Sequence, residues 1–91
     1  MTPFHKGQEL LALKKYNEAV ASYDKALAIN PNYYYALLSK GIALLKLGKY
    51  NESITHLDKI LAVKPKDINA LHYKNSDLAA LSKIKATTGP H

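Results

Sequence analysis

Four histidines are the side chains best suited to bind a metal or move a proton: His5, His56, His72 and His91. A metal site in a protein needs several ligands grouped at turn-like spacings. His56 and Asp58 are two residues apart, so they do not face each other on a helix. No cysteine is available as a further ligand. We therefore predict no metal site and no cofactor, and we interpret the histidines as surface or groove residues.

The serines and carboxylates form no catalytic pattern either. The serines fall in helical stretches and lack the sharp elbow motif that exposes a nucleophile. No aspartate or glutamate has another three or four residues away, the spacing at which two carboxylates on a helix would raise each other's pKa. The glycines are explained by packing and turns, not by a phosphate loop. We predict that the chain is not an enzyme.

Length and charge restrict the possible classes further. The chain has 91 residues, which allows one domain, and 47% of them are hydrophobic. The net charge is +6, and every basic residue is a lysine. Lysine lacks the planar guanidinium group with which arginine binds the edge of guanine, and these lysines are scattered along the chain. We predict a mildly basic, solvated surface and no nucleic-acid partner. The alternative is an acidic partner or nonspecific contact with nucleic acid.

The apolar stretches are too short for a membrane span. No unbroken aliphatic stretch exceeds four residues, the length of the one from Leu10 to Leu13, and this is far below the roughly 20 residues that a membrane helix needs. Residues 1–16 also lack the apolar core of a signal peptide. We expect a soluble, cytoplasmic protein that does not contact a membrane.

The chain matches itself when it is shifted by 34 residues, and internal repetition of this length is typical of helical repeat proteins. The matching residues include large, small, charged and turn-forming types. The matched pairs are Gly7 and Gly41, Leu10 and Leu44, Tyr16 and Tyr50, Asp24 and Asp58, Leu27 and Leu61, and Pro31 and Pro65.

Each repeating unit has the pattern of two helices. Residues 34–47 carry apolar side chains at helical spacing, and so do residues 51–63. Gly48 interrupts them with a residue that readily ends a helix. The first unit has Lys14 at this place, so its turn must close without glycine. The prolines cannot continue a helix, and each unit therefore ends near its proline.

This pattern resembles the tetratricopeptide repeat family. The residues that carry the resemblance are Gly7, Gly41, Tyr16, Tyr50, Ala19, Ser53, Pro31 and Pro65. The resemblance implies an all-α superhelix of antiparallel helix-turn-helix repeats. A small residue lets its partner helix approach closely, so we expect Gly41 beside Ser53 and Gly7 beside Ala19. Tyr16, Tyr23 and Tyr50 should fill the space between helices.

We expect one domain over residues 1–85, with repeats at about 1–33 and 34–67, a capping helix at about 67–85, and a disordered tail over 86–91. Pro3 suggests that the opening turn of the first helix frays. The capping helix has Asn75 where the two repeats have glycine. It should cover the second repeat and expose polar side chains, namely Lys74, Asp77, Ser82 and Lys85. The alternative is that the chain is a piece of a longer array.

The resemblance further implies that the first helix of each pair lines a concave groove in which a protein or peptide binds. The groove residues by this reasoning are Phe4, Gln8, Leu11, Tyr35, Leu38, Ser39, Ile42, Lys46, Asn69, His72 and Tyr73. Such a surface suits an amphipathic helix or an extended apolar segment. Tyr35 and Tyr73 are the expected anchors, because tyrosine offers a large contact area at low entropic cost.

Some members of the family grip the acidic tail of a chaperone with lysine, asparagine and arginine at set groove positions. The corresponding positions here are Phe4, Gln8, Ser39, Asn69 and Tyr73. We therefore predict no chaperone-tail binding by a carboxylate clamp. The alternative function is a structural module that forms homodimers through exposed apolar helix faces.

Overall fold

The computed structural model describes residues 1–88, and for residues 86–88 it describes the backbone alone. Within that range the chain is all-α, with no strand. The five helices are α1 (Pro3–Ala12), α2 (Tyr16–Ile29), α3 (Tyr34–Lys46), α4 (Tyr50–Val63) and α5 (Ile68–Thr88). Pro31 and Pro65 lie in the loops that follow α2 and α4. The predicted all-α class of helix-turn-helix repeats is confirmed.

The helices pack in chain order and form an elongated stack, with extents of 51 × 29 × 18 Å. Beyond these sequential contacts, α3 also touches both α1 and α5. In the part of the chain that the structure describes, α2 and α4 do not touch each other. The first helices of the pairs (α1, α3 and α5) are therefore closer together than the second helices, so they lie on the inner side of a curved stack.

Within each pair, a glycine of the first helix meets a large side chain of the second. A Cβ atom at Gly7 would lie 2.5 Å from Cε1 of Tyr23, and one at Gly41 would lie 2.9 Å from Cδ2 of Leu57. Tyr23 and Leu57 are themselves 34 residues apart, so the two contacts are equivalent. Ser53 donates a hydrogen bond from Oγ to the carbonyl of Gly41 at 2.8 Å, which confirms the expected proximity of these two residues.

Two buried clusters join each unit to the next. One contains Ala19 and Tyr23 of α2 with Ala43 of α3. The other contains Leu37, Leu57, Ile60 and Ala70, contributed by α3, α4 and α5. Tyr23 is fully buried, whereas Tyr16 and Tyr50 are half-buried. The buried core thus extends across the junctions between units and is not confined to single hairpins.

Two ion pairs occupy equivalent positions at the two junctions between units. The ammonium of Lys40 lies 2.5 Å from a carboxylate oxygen of Asp24, and that of Lys74 lies 2.8 Å from one of Asp58. In both cases the first helix of one unit reaches back to the second helix of the preceding unit. The carboxylates are about half exposed, and pairs of this kind contribute about 0–1 kcal/mol. Their contribution to stability is therefore small, and their main effect is on how the first helix of one unit aligns with the second helix of the preceding unit.

The turn after α1 closes without glycine, as predicted. Lys14 adopts the left-handed conformation, with φ of 62°. Its N–H donates to the carbonyl of Leu11 at 2.9 Å, and the N–H of Lys15 donates to that of Leu10 at 2.8 Å. This pair of bonds satisfies carbonyls that the end of a helix leaves without partners. The equivalent turn after α3 has the same bonds, with Gly48 at φ of 78°.

The opening turn of α1 is capped, contrary to the fraying that we expected from Pro3. Thr2 is extended, and its hydroxyl accepts a hydrogen bond from the N–H of His5 at 3.1 Å. Proline suits the first helical position, because its φ is already helical and the N–H that it lacks would have no partner there.

The last helix, α5, is longer than the first helices before it. Asp67 precedes it and accepts hydrogen bonds from the N–H of Ala70 at 2.9 Å and from the hydroxyl of Tyr34 at 2.8 and 3.0 Å. Ser82 stands where the earlier units have Gly48 or Lys14 in the left-handed turn, and here the helix continues. It runs to Thr88, past the expected end at 85, and residues 89–91 of the predicted tail lie outside the described part.

Asp77 is buried, and our prediction that it lies on the exposed side of α5 was wrong. Its side chain is 0% exposed, and neither carboxylate oxygen has a hydrogen-bond partner. It occupies the position equivalent to Ala43, on the face of the first helix that packs against the preceding second helix. Burial raises the pKa of Asp77 above its ordinary value of 3.8, and the neighbouring Ser53 offsets part of this effect.

The Lys14 turn gives the first prediction. Replacing Lys14 with glycine should raise the free energy of unfolding by about 0.5–1 kcal/mol, because glycine adopts positive φ without steric cost. Urea denaturation followed by circular dichroism measures the change. The matched control is Gly48→Lys, which should destabilise the equivalent turn. Equal stability of wild type and Lys14→Gly would contradict the strain at this position.

The glycine contact gives the second prediction. Gly41→Leu should lower the free energy of unfolding by about 1–3 kcal/mol, because the larger side chain overlaps Leu57. Ala21→Leu is the control, since Ala21 is exposed on α2 and should tolerate leucine. If both variants unfold at the same denaturant concentration as the wild type, Gly41 does not set the distance between α3 and α4.

Asp77 gives the third prediction. Asp77→Ala should raise the free energy of unfolding by about 1–3 kcal/mol at pH 7, because it removes a buried carboxylate without partners. A raised pKa in the folded state means that the wild type loses stability as pH rises above 3.8. The advantage of the variant should therefore grow from pH 4 upward and level off once Asp77 is ionised in the folded state. Measuring both proteins at each pH cancels the titration of other groups, and an advantage that does not vary with pH would refute this account.

Candidate functional site

Most of the predicted groove residues are exposed or half-buried side chains of α1, α3 and α5, and the inner surface of these helices is hereafter called the groove. Gln8, Tyr35, Lys46, Asn69 and His72 are exposed, and Phe4, Leu11, Leu38, Ile42 and Tyr73 are half-buried. Among them Tyr35 presents the most accessible large apolar surface, with 60% of it exposed. The groove therefore offers aromatic and aliphatic side chains together with a few amides.

Ser39 is the exception, because it is only 7% exposed and does not line the groove. It lies between Ala36 and Ala43, which are one turn away on either side and fully buried. These three small residues form the side of α3 that packs against α2. Ser39 neighbours the phenol of Tyr23, whose pKa is raised by burial, an effect that the serine partly offsets. The expectation that Ser39 is exposed to a ligand was wrong.

Four aromatic rings form a continuous cluster at the start of α1 and α3, and two of them, Tyr33 and Tyr34, are not among the predicted groove residues. The ring of Phe4 lies 5.1 Å from that of Tyr33, Tyr33 lies 6.4 Å from Tyr35, and Tyr35 lies 5.1 Å from Tyr34. The last two pairs meet edge to face. Tyr33 was overlooked because it precedes the helix and so falls outside the helical pattern, although three consecutive tyrosines are themselves a signal.

The other end of the groove is built on α5. The rings of His72 and Tyr73 are 5.0 Å apart and meet edge to face. Tyr73 also packs against the core cluster around Leu37 and Leu57. Asn69 reaches across to α3 and donates from its amide to the hydroxyl of Tyr34 at 3.5 Å. Tyr73 is therefore partly a core residue, whereas Tyr35 has most of its surface available to a ligand.

Gln8 is held in a defined orientation between the two ends. The hydroxyl of the buried Tyr23 donates a hydrogen bond to Oε1 of Gln8. Because this bond uses the acceptor of the amide, the group has N–H donors to offer a ligand. No carboxylate is among the selected groove residues, and Lys46 adds a positive charge at the far end of α3. The groove thus favours a ligand that is apolar and carries hydrogen-bond acceptors.

Two open cavities lie where a first helix begins beside the end of its paired second helix, and each is bordered by at least one ring of the aromatic cluster. One of about 510 Å³ is bordered by Tyr34, Leu37, Ile60 and Val63. The other, of about 350 Å³, is bordered by residues that include Phe4, Ala26 and Ile29. Because Ala26 and Ile60, and Ile29 and Val63, are related by the 34-residue shift, we attribute both cavities to the geometry of the repeat.

Residues 1–88 contain no group of three or more histidine and acidic side chains placed to hold a metal ion. None of the helices in that range is long and apolar enough to cross a membrane.

Comparison with known proteins gives one match. A family model described as tetratricopeptide repeat matches residues 10–81. No curated protein and no solved structure matches the chain. The matched range begins in α1, contains α2, α3 and α4 completely, and ends within α5. It covers well over half of the sequence and includes the repeated glycine Gly41 and the turn at Gly48. The chain therefore belongs to the tetratricopeptide repeat family.

Proposed function

We propose that this chain is a protein-interaction module that binds a peptide or a helix of its partner in the groove. The family consists generally of protein–protein interaction modules. The single observation that supports the groove as the binding surface is the aromatic cluster of Phe4, Tyr33, Tyr34 and Tyr35, whose rings lie within 5.1–6.4 Å of one another along the cluster. Tyr35 has 60% of its surface exposed, and clustered exposed aromatic residues are frequent hot spots of protein interfaces.

The ligand that fits best is an amphipathic helix or an extended apolar segment. Tyr35 serves as the principal anchor, and the half-buried Leu38 and Ile42 extend the apolar surface along α3. Gln8 and Asn69 flank this strip and supply polar contacts that orient the ligand. A dissociation constant of about 1 μM corresponds to about −8 kcal/mol, which a few buried anchors can provide.

Several classes of ligand are not expected to bind in the groove. The positions that would hold a carboxylate clamp carry Phe4, Gln8, Ser39, Asn69 and Tyr73, so we propose no binding of acidic chaperone tails by that mechanism. We propose no enzymatic activity, no cofactor and no nucleic-acid ligand. The cytoplasmic location stays a prediction from the sequence.

A second candidate function is self-association. It is favoured by apolar side chains that remain open on α5, where Leu71 is 39% exposed and Leu78 is 46% exposed. Open apolar surface of this kind can drive the formation of homodimers. Sedimentation velocity at micromolar concentration distinguishes the two candidates, because a strict monomer would eliminate a homodimer.

The groove proposal gives the fourth prediction. Tyr35→Ala should weaken partner binding by at least tenfold, because it removes the most exposed aromatic anchor, and it should leave the helical circular-dichroism spectrum unchanged. The measurement is an affinity pull-down with quantitative mass spectrometry, followed by titration of the recovered partner. Leu13→Ala is the control, since Leu13 is 65% exposed and follows α1, at the opposite end of that helix from Phe4.

Partners that are lost with Tyr35→Ala but kept with Leu13→Ala are groove ligands. Partners retained equally by both variants would refute the groove as the binding surface.

A further inference from the structure

One face of α5 is open although the equivalent face is covered in the second repeat. Leu71 and Leu78 correspond to Leu37 and Leu44 under the 34-residue shift. Leu37 and Leu44 are 6% and 2% exposed, whereas Leu71 and Leu78 are 39% and 46% exposed. The leucines of α5 therefore occupy the same positions in the repeat as those of α3, and they are more exposed because no second helix within residues 1–88 covers them.

These leucines belong to one stripe of α5, hereafter the outer face, formed by Leu71, Asn75, Leu78 and Ser82. The spacings of four, three and four residues place them on one side of a helix. The side of α5 that packs against α4 is a different one and carries Ala70 and Asp77. The outer face therefore lies on a different side of α5 from these buried residues.

The fold itself shows what kind of element covers such a face. On α3, Leu37 is buried in one cluster with Leu57 and Ile60 of α4. On α1, the face marked by Gly7 is covered by Tyr23 of α2. In both units the cover is a helix that follows the first helix through a tight turn and runs back along it. Among residues 1–88 no such helix lies on α5.

We propose that the outer face of α5 is a second interaction surface, which receives an acidic amphipathic helix from a partner protein. That helix takes the place on α5 that α2 and α4 hold on α1 and α3. It lies on the outer face of α5 rather than in the groove. Binding there completes a third helical pair in trans.

The charge around the outer face selects an acidic helix over a second copy of this chain. Asp77 is the only carboxylate in α5, and it is buried on the opposite side against α4. Lys85 follows Ser82 by three residues and is exposed, so it borders the outer face. The whole chain carries a net charge of +6. A second copy would bring like charges together, whereas an acidic helix gains from electrostatic attraction.

Asn75 restricts the partner further. It stands where Gly41 lets α4 approach closely. Its side chain keeps an incoming helix farther from α5 than α4 is from α3, and it offers both a hydrogen-bond donor and an acceptor. The partner helix must therefore place a polar side chain opposite Asn75, with aliphatic side chains on either side to cover Leu71 and Leu78. The native sequence of α4, which fits against glycine, meets these conditions less well.

The test uses synthetic, fluorescein-labelled peptides with the sequence of residues 50–66, the helix that covers the equivalent face on α3. One peptide has the native sequence. The other carries the changes Lys59→Glu and Lys64→Glu, which make it acidic, and Leu57→Gln, which places an amide opposite Asn75, because Leu57 is the side chain that meets Gly41. Fluorescence anisotropy with the full chain at 50 mM and 300 mM salt measures both affinities.

We expect the acidic peptide to bind in the micromolar range and at least tenfold more tightly than the native peptide at 50 mM salt. The difference should shrink at 300 mM salt, where the charges are screened. Leu71→Lys and Leu78→Lys, made singly and checked for an unchanged helical spectrum, should each weaken binding at least tenfold. Ile29→Lys, on α2, and Tyr35→Ala, in the groove, should bind the acidic peptide like the wild type.

Three results would overturn the proposal. The first is no binding of the acidic peptide at 100 μM chain. The second is loss of binding with Tyr35→Ala but not with Leu71→Lys, which would place the peptide in the groove. The third is a dimer of the chain that Leu78→Lys dissolves, which would identify a second copy as the occupant. Because the groove has its own variant, failure here leaves the groove proposal standing.

Discussion

The close contact between a glycine and a large side chain is the constraint on which the rest of this structure depends. Gly7 faces Tyr23 and Gly41 faces Leu57, each at a distance that leaves no room for a Cβ atom. This contact brings the two helices of a pair together, and burial of the large side chain between helices then ties each pair to the next. Because the first helices also touch one another and the second helices do not, the stack curves and a groove forms on the inner side.

The third unit shows what happens when that constraint is absent. Asn75 stands in place of the glycine, and Ser82 in place of the left-handed residue of the turn. The asparagine side chain fills the space in which the second helix of a pair would pack closely. The helix α5 runs past Ser82 and continues to Thr88. This helix covers α4 and leaves its own outer face open.

Much of the fold was predictable from the 34-residue shift, because repetition specifies which residues play equivalent roles. The predicted helices over 34–47 and 51–63 differ from α3 and α4 by one residue at one end. The exposure of single residues was less predictable. Ser39 was expected in the groove because it lies on the first helix of a pair, and Asp77 was expected at the surface because it is polar. The side of a helix that meets its neighbour is instead decided by how the helices cross. The angle at which two helices cross cannot be read from the periodicity of the sequence.

Contacts in this protein are almost entirely between helices adjacent in the chain. A stack of this kind has no single core that must unfold at once, so its stability can vary along its length. The end formed by α5 packs mainly against α4 and includes the unpaired Asp77 at that interface. Amide hydrogens of α5 should therefore exchange with solvent through openings that leave the first four helices folded, and the protein can present either a closed or a partly open end to its surroundings.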